Sequence, residues 1–158
     1  MLKGQETWNE ARLGAIMAEH GRLEGPLLPI LHAVQEAFGY IPQPAVPIIA
    51  SALNLSRAEV HGVVTFYHDF RDKPAGRHVV KICRAEACQA MGCEALVKRA
   101  EARLGVACGE TTANDQVTFE AVYCLGLCAQ SPSAMVDGAP VARLTPAGLD
   151  ALFAEIGA

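Results

Sequence analysis

With 158 residues, 51% of them hydrophobic and only 19% charged, the chain has ample material for a core in one domain or in a domain with an appendage. Its net charge of −4 argues against non-specific nucleic-acid binding, which needs a basic face. No stretch approaches the roughly 18 or more uninterrupted apolar residues of a membrane span, so no membrane span is expected.

The opening, MLKGQETWNEARLGAIMAEHG, is polar and has no continuous apolar h-region, so a targeting segment is not expected and a cytoplasmic location is the default. From there to about Arg71 the pattern is helical. Leu13, Ile16 and Met17 fall at helical spacing within Trp8 to Glu19. Gly21 and Gly25-Pro26 interrupt the pattern. Leu27, Leu28, Leu31, Val34 and Phe38 make one stripe of a second helix that Gly39 stops. Val46 to Leu53 predicts a short third helix. Ser56 with Glu59 three residues on is a capping-box pattern that opens a fourth, from Arg57 to about Phe66. The aromatic run Thr65–Phe70 reads equally as helix end or extended chain.

Lys73-Pro74-Ala75-Gly76 is the candidate boundary, dividing a helical region, 1–73, from a second region, 77–158. Beyond it the units alternate. His78–Ile82 predicts a strand and Gln89 to Leu104 a helix burying Leu96, Val97, Ala100 and Leu104. A polar loop, Gly109 to Asp115, leads to a second strand at Phe119–Tyr123. Ala134–Asp137 and Val141–Leu144 flank Gly138 as a hairpin. Thr145-Pro146 opens a last helix through Ile156. The order is β-α-β-β-β-α or close to it. The fold class is α+β: an N-terminal helical bundle followed by a small sheet with packed helices, of the thioredoxin-like kind.

The chemistry lies in cysteine. Cys83 and Cys88 are spaced C-x4-C, Cys124 and Cys128 C-x3-C, and each pair sits where a strand-like run gives way to a loop. In a reducing compartment paired cysteines point to metal or redox chemistry more than to disulfides. Thiolates from two loops can enclose a sulfur-ligated metal centre, and a set of four serves a 2Fe–2S cluster. Cys88 is expected near a helix N-terminus, which favours an anionic thiolate. Gly126, inside the second pair, allows the positive φ of a tight loop. Structural zinc also takes four cysteines at such spacing and stays open as an alternative. A redox disulfide lacks its C-x-x-C motif, and the plant-type C-x4-C-x2-C spacing fails because Met91 stands three residues after Cys88. Cys93 and Cys108 read as free thiols that pack like small hydrophobes. His20, His32, His61, His68 and His78 show no paired spacing with a cysteine. Gly-x-Gly-x-x-Gly is absent, so NAD binding by this chain alone is not expected. Phe66, Tyr67 and Phe70 read as an interface patch or a core cluster; Arg84 and Glu86 lie between paired cysteines, and Arg84 reads as a residue tuning the charge of the centre, a partner contact or a solvated loop residue.

These residues resemble a family: the thioredoxin-like 2Fe–2S subunits that accompany flavin subunits in complex I, NAD-reducing hydrogenases and NAD-dependent formate dehydrogenases. The two cysteine pairs match its ligand motif, and Leu31–Gln35, Phe38–Pro42 and Val60–Tyr67 match its helical part. Thr65–Phe70, Cys83–Gly92 and Cys124–Ala129 look most like the gamma subunit of the molybdenum-containing formate dehydrogenases. The resemblance implies one 2Fe–2S cluster on Cys83, Cys88, Cys124 and Cys128, close to the FMN of a partner subunit that also binds NAD. It implies a larger catalytic complex, with formate chemistry at a molybdenum cofactor on another subunit, and docking of the helical region against the flavin subunit. It also marks Pro132, just before a strand, as a position where such folds often carry a cis-proline.

Overall fold

A computed structural model describes residues 6–158. They divide into two compact units, one ending at Pro74 and the other running from Ala75 to Ala158.

The first unit is a bundle of four helices: α1 (Glu10–His20), α2 (Leu27–Phe38), α3 (Ala45–Ala52) and α4 (Arg57–Phe66). Asn9 caps α1 by accepting from the amides of Ala11 and Arg12. The capping box of α4 is present in both directions: Ser56 Oγ accepts from the Glu59 amide at 3.1 Å, and Glu59 Oε2 from the Ser56 amide at 2.7 Å. The apolar stripes meet in one core of Leu13, Ile16, Ile30, Leu31, Val34 and Phe38, joined by Ile49 and Val60. Leu27 and Leu28, read as members of the α2 stripe, are only half-buried, and Ile30 and Ala37 take the interior places.

The ambiguous run after α4 resolves at Tyr67, which is extended and ends the helix. The chain then returns Phe70 to the core, against the His32 ring at 4.9 Å between centroids. Gln35 holds this return: its Nε2 donates to the Asp69 carbonyl at 2.6 Å and its Oε1 accepts from the Arg71 amide at 2.7 Å. Gln35→Ala strips partners from two backbone groups. We expect a loss of about 0.5–1.5 kcal/mol, the usual net worth of a hydrogen bond where water can replace part of it, measurable by denaturant titration.

The second unit is a four-stranded sheet in the order β2-β1-β3-β4, formed by β1 (His78–Cys83), β2 (Val117–Val122), β3 (Ala134–Val136) and β4 (Ala139–Val141). β1 runs parallel to β2, with His78 opposite Val117 and Cys83 opposite Val122, and antiparallel to β3. Its Val79, Val80, Ile82 and Cys83 are all buried, the near-continuous apolar pattern of a strand covered on both faces. Asp137 and Gly138, both at positive φ, turn β3 into β4 as a primed hairpin turn does. The helix expected over residues 89–104 is two helices, α5 (Glu86–Ala90) and α6 (Cys93–Leu104). Gly92, at φ +84°, is left-handed and breaks them apart. β2 begins two residues earlier than expected and stops before Tyr123. Thr145 Oγ1 accepts from the Gly148 amide to open α7 (Pro146–Glu155). Leu96, Val97 and Ala100 of α6 and Leu149 and Phe153 of α7 pack with Val80, Ile82 and Phe119 of the sheet.

Candidate metal centre

The parallel pairing of β1 and β2 decides where the cysteines go. Parallel strands end on the same side of a sheet, so the loops after Cys83 and after Val122 leave from one edge. Cys83 is the last residue of β1 and Cys88 the third of α5, and both are buried. Cys124 follows β2 by two residues and Cys128 opens a 3₁₀ turn, and both are exposed. One pair is therefore shielded and the other faces solvent.

Within each pair the cysteines lie close together. Cys124 Sγ and Cys128 Sγ are 3.6 Å apart, and Cys83 lies close enough to Cys88 to help lower the pKa of its thiol. Their local backbone is shaped to hold sulfur. Cys124 sits at φ +82° and Gly126 at φ +76°, which turns the Gly126 amide onto Cys124 Sγ at 3.4 Å. Burial opposes a charge on Cys88, but its hydrogen bonding with Ser131 and Ser133, together with Cys83, outweighs burial and holds the thiol below its ordinary range. The Cys128 thiol is pushed up by its hydrogen bond and charge contact with Cys124, by desolvation, and then by the charges of Cys88 and Cys83. That last effect puts Cys128 within electrostatic reach of the buried pair.

Among the described residues no three His, Cys, Asp or Glu side chains gather as a single metal ion would need. The sulfurs stand as two pairs. A mononuclear zinc site asks for four ligands around one point, whereas a 2Fe–2S cluster takes two on each of two irons. Four cysteine thiols in two pairs suit a 2Fe–2S cluster.

The remaining candidates fall elsewhere. Cys93 is fully buried at the start of α6 and Cys108 half-buried in the following loop, and burial chiefly pushes both thiols up. Each behaves as a small hydrophobe. His78 bonds Asp137 Oδ2 at 2.7 Å, at the opposite end of β1 from Cys83, roughly 16 Å away at strand rise. His20, His32, His61 and His68 belong to the helical unit. Phe70 is core, while Phe66 and Tyr67 are exposed. Arg84, between Cys83 and Cys88, makes two bonds of 2.8 Å to Glu94.

Sequence reading missed Ser131 and Ser133. Their oxygens lie 3.5 and 3.6 Å from Cys88 Sγ, and Ser131 Oγ also donates to the Cys128 carbonyl at 2.8 Å, so one hydroxyl joins both cysteine loops. The only signal was Ser131-Pro132-Ser133 between Cys128 and β3; in the structure the Ser131–Pro132 bond is cis. Hydrogen bonds to ligand sulfur raise a cluster's potential. Ser133→Ala should therefore lower the midpoint potential of the cluster-loaded chain, read by a redox titration followed by electron paramagnetic resonance.

Residues 13–157 match the family described as thioredoxin-like 2Fe–2S ferredoxin. The chain belongs to this family. It is thus an electron-transfer protein of the kind that carries one 2Fe–2S cluster. A subunit of the NADH-quinone oxidoreductase of Pseudomonas aeruginosa is 32% identical over 92% of this chain and 89% of its own length. The HndA subunit of the NADP-reducing hydrogenase of Solidesulfovibrio fructosivorans is 30% identical over 84% of this chain and 77% of its own. The alpha subunit of the NAD-reducing hydrogenase HoxS of Cupriavidus necator is 28% identical over 93% of this chain, which spans 24% of that subunit. The fold is shared with a crystal structure of a NAD+-reducing NiFe-hydrogenase, at a TM-score of 0.65 and 24% identity, over 93% of this chain and 23% of that one. The relatives named are quinone oxidoreductase and hydrogenase subunits, so the formate dehydrogenase reading rests on the motif resemblance alone.

Proposed function

We propose that this chain is the one-electron subunit of a cytoplasmic NAD-linked oxidoreductase, holding its 2Fe–2S cluster on Cys83, Cys88, Cys124 and Cys128 beside an FMN-bearing partner. When bound, the cluster supplies one-electron transfer at a site where flavin handles the two electrons of a hydride. The observation that carries the reading is the delivery of two cysteine pairs from one edge of a parallel strand pair, one pair buried and one exposed with its sulfurs 3.6 Å apart. Cys83 and Cys88 anchor the centre in the core. Cys124 and Cys128 hold its outer side where a partner can approach, and Tyr123 beside them is 71% exposed. Ser131 keeps the two loops in register, and the Gly126 amide steadies Cys124.

Of the possible complexes, the named relatives favour a complex I or NAD-reducing hydrogenase module. The segments Thr65–Phe70, Cys83–Gly92 and Cys124–Ala129 favour the formate dehydrogenase one, with the molybdenum cofactor on a further subunit. Electron paramagnetic resonance of the purified chain before and after dithionite tests the cluster. A silent oxidised form and a rhombic one-electron signal on reduction, with iron and sulfide in equal amounts, are expected. A colourless, redox-silent chain containing zinc overturns the reading. Co-purification with the flavin subunit, followed by reduction with NADH, formate or hydrogen in turn, tests the host complex.

A further inference from the structure

Arg84 carries no thiol, yet its backbone ties together the chain beside three of the four cysteines. Its amide donates to the Val122 carbonyl at 2.9 Å, two residues before Cys124. Its carbonyl accepts from Gln89 Nε2 at 2.9 Å, one residue after Cys88. It follows Cys83 directly, at a Cα separation of about 3.8 Å. Its guanidinium reaches across to the first turn of α6, where Nε and Nη2 bond the two carboxylate oxygens of Glu94, each at 2.8 Å. The pair is planar-matched and charge-assisted, the geometry that fixes orientation most firmly. It is also only partly open to solvent, with the Arg84 side chain 31% exposed and that of Glu94 45%.

We propose that the Arg84–Glu94 pair sets the reduction potential of the centre held by the four cysteines, with Arg84 as the positioning residue and Glu94 as its electrostatic counterweight. The inference rests on the 2Fe–2S reading above. Reduction adds one electron to the centre and makes or breaks no bond, so its charge becomes more negative by one. A fixed cation nearby favours the reduced state and a fixed anion the oxidised state. Paired at contact distance, the two charges largely cancel. Removing either one leaves the other uncompensated beside the centre. The two single neutralisations therefore push the potential in opposite directions. A pair that only clamped the loop would lose the same two hydrogen bonds in either variant, and both would move the same way.

The experiment is a dithionite titration of the cluster-loaded full chain, followed by electron paramagnetic resonance, on wild type, Arg84→Gln, Glu94→Gln, the double variant and Arg84→Lys. Arg84→Gln is expected to lower the midpoint and Glu94→Gln to raise it. The double variant should return near wild type, and Arg84→Lys should lie closer to wild type than Arg84→Gln does. Equal signs in the two single variants, or no shift in either, overturn the proposal. Should Arg84→Gln fail to retain the cluster, the sign of Glu94→Gln decides alone: a rise supports the proposal, and a fall or no change overturns it. A wild-type chain without a one-electron signal instead defeats the cluster reading itself, and the proposal with it.

Discussion

Cys124→Ser is expected to cost the chain its cluster: iron and sulfide per chain should fall well below stoichiometric, and the reduced rhombic signal should vanish or change shape. Serine preserves the volume of cysteine, so the fold has no reason to respond. What is lost is a thiolate. Iron–sulfur clusters are held by thiolate sulfur, and a hydroxyl does not ionise in the range where a thiol does. The position is exposed, and the backbone there is already committed to the sulfur, with φ +82° at Cys124 and the Gly126 amide on Sγ at 3.4 Å. Water therefore reaches the weakened outer side directly. Cys108→Ser is the control. Its thiol is held neutral mainly by burial and meets none of the paired sulfurs at hydrogen-bonding distance, so iron, sulfide and spectrum should stay at wild-type levels. An unchanged spectrum in Cys124→Ser, or an equal loss in Cys108→Ser, would sink the ligand set. Chelation separates the zinc alternative, because a four-cysteine zinc module would be colourless at every stage.

The contrast between those two cysteines shows what a sequence can carry. Local signals were legible wherever the cause was local. The Ser56/Glu59 box, the Gly39 stop of α2 and the Thr145-Pro146 start each depend on a few adjacent residues and appear where expected, while the hairpin about Gly138 forms with its second strand at Ala139–Val141 instead of Val141–Leu144. The two cysteine pairs stand out in the sequence for the same reason: each is defined by a few adjacent residues. The failures come from contacts far apart in sequence or from one residue overruling a pattern. Gly92 breaks a helix whose apolar periodicity runs through it. Ser131 and Ser133 reach Cys88 across more than forty positions. Arg84 finds Glu94 ten residues on, although a loop arginine reads as solvated by default. Nor does spacing alone bring Cys83/Cys88 to Cys124/Cys128. That depends on β1 and β2 pairing in parallel, which the chain order only suggests.

That pairing rests on the core beneath it, where the largest stability effect is expected. Phe119 lies at the middle of β2, opposite Val80 of β1, fully buried among Val80, Ile82, Leu149 and Phe153. Phe119→Ala removes an aromatic ring from a site closed on every side, so both the transfer free energy and the cavity left behind count. Phe→Ala at such positions costs about 3–5 kcal/mol. Against a total of about 5–15 kcal/mol for a domain, this is a large share, and the urea midpoint of the apo chain should fall accordingly. Phe66→Ala removes the same ring from a residue 73% exposed, and its stability should stay within about 0.5 kcal/mol of wild type. The two variants have identical chemistry, so the gap between them measures burial alone. Phe119→Ala has a second consequence. Metal centres bind the folded chain and not the unfolded one, so folding and retention are linked. Cys83 and Cys124 leave from the strand ends that Phe119 helps hold in register. Cluster loss on dilution should therefore quicken in Phe119→Ala even though no sulfur has been touched, and Phe66→Ala should keep the wild-type rate. If Phe119→Ala unfolds early yet retains its cluster as long as wild type does, the thiol pairs are held by their loops alone, and the parallel strand pair is not what brings them together.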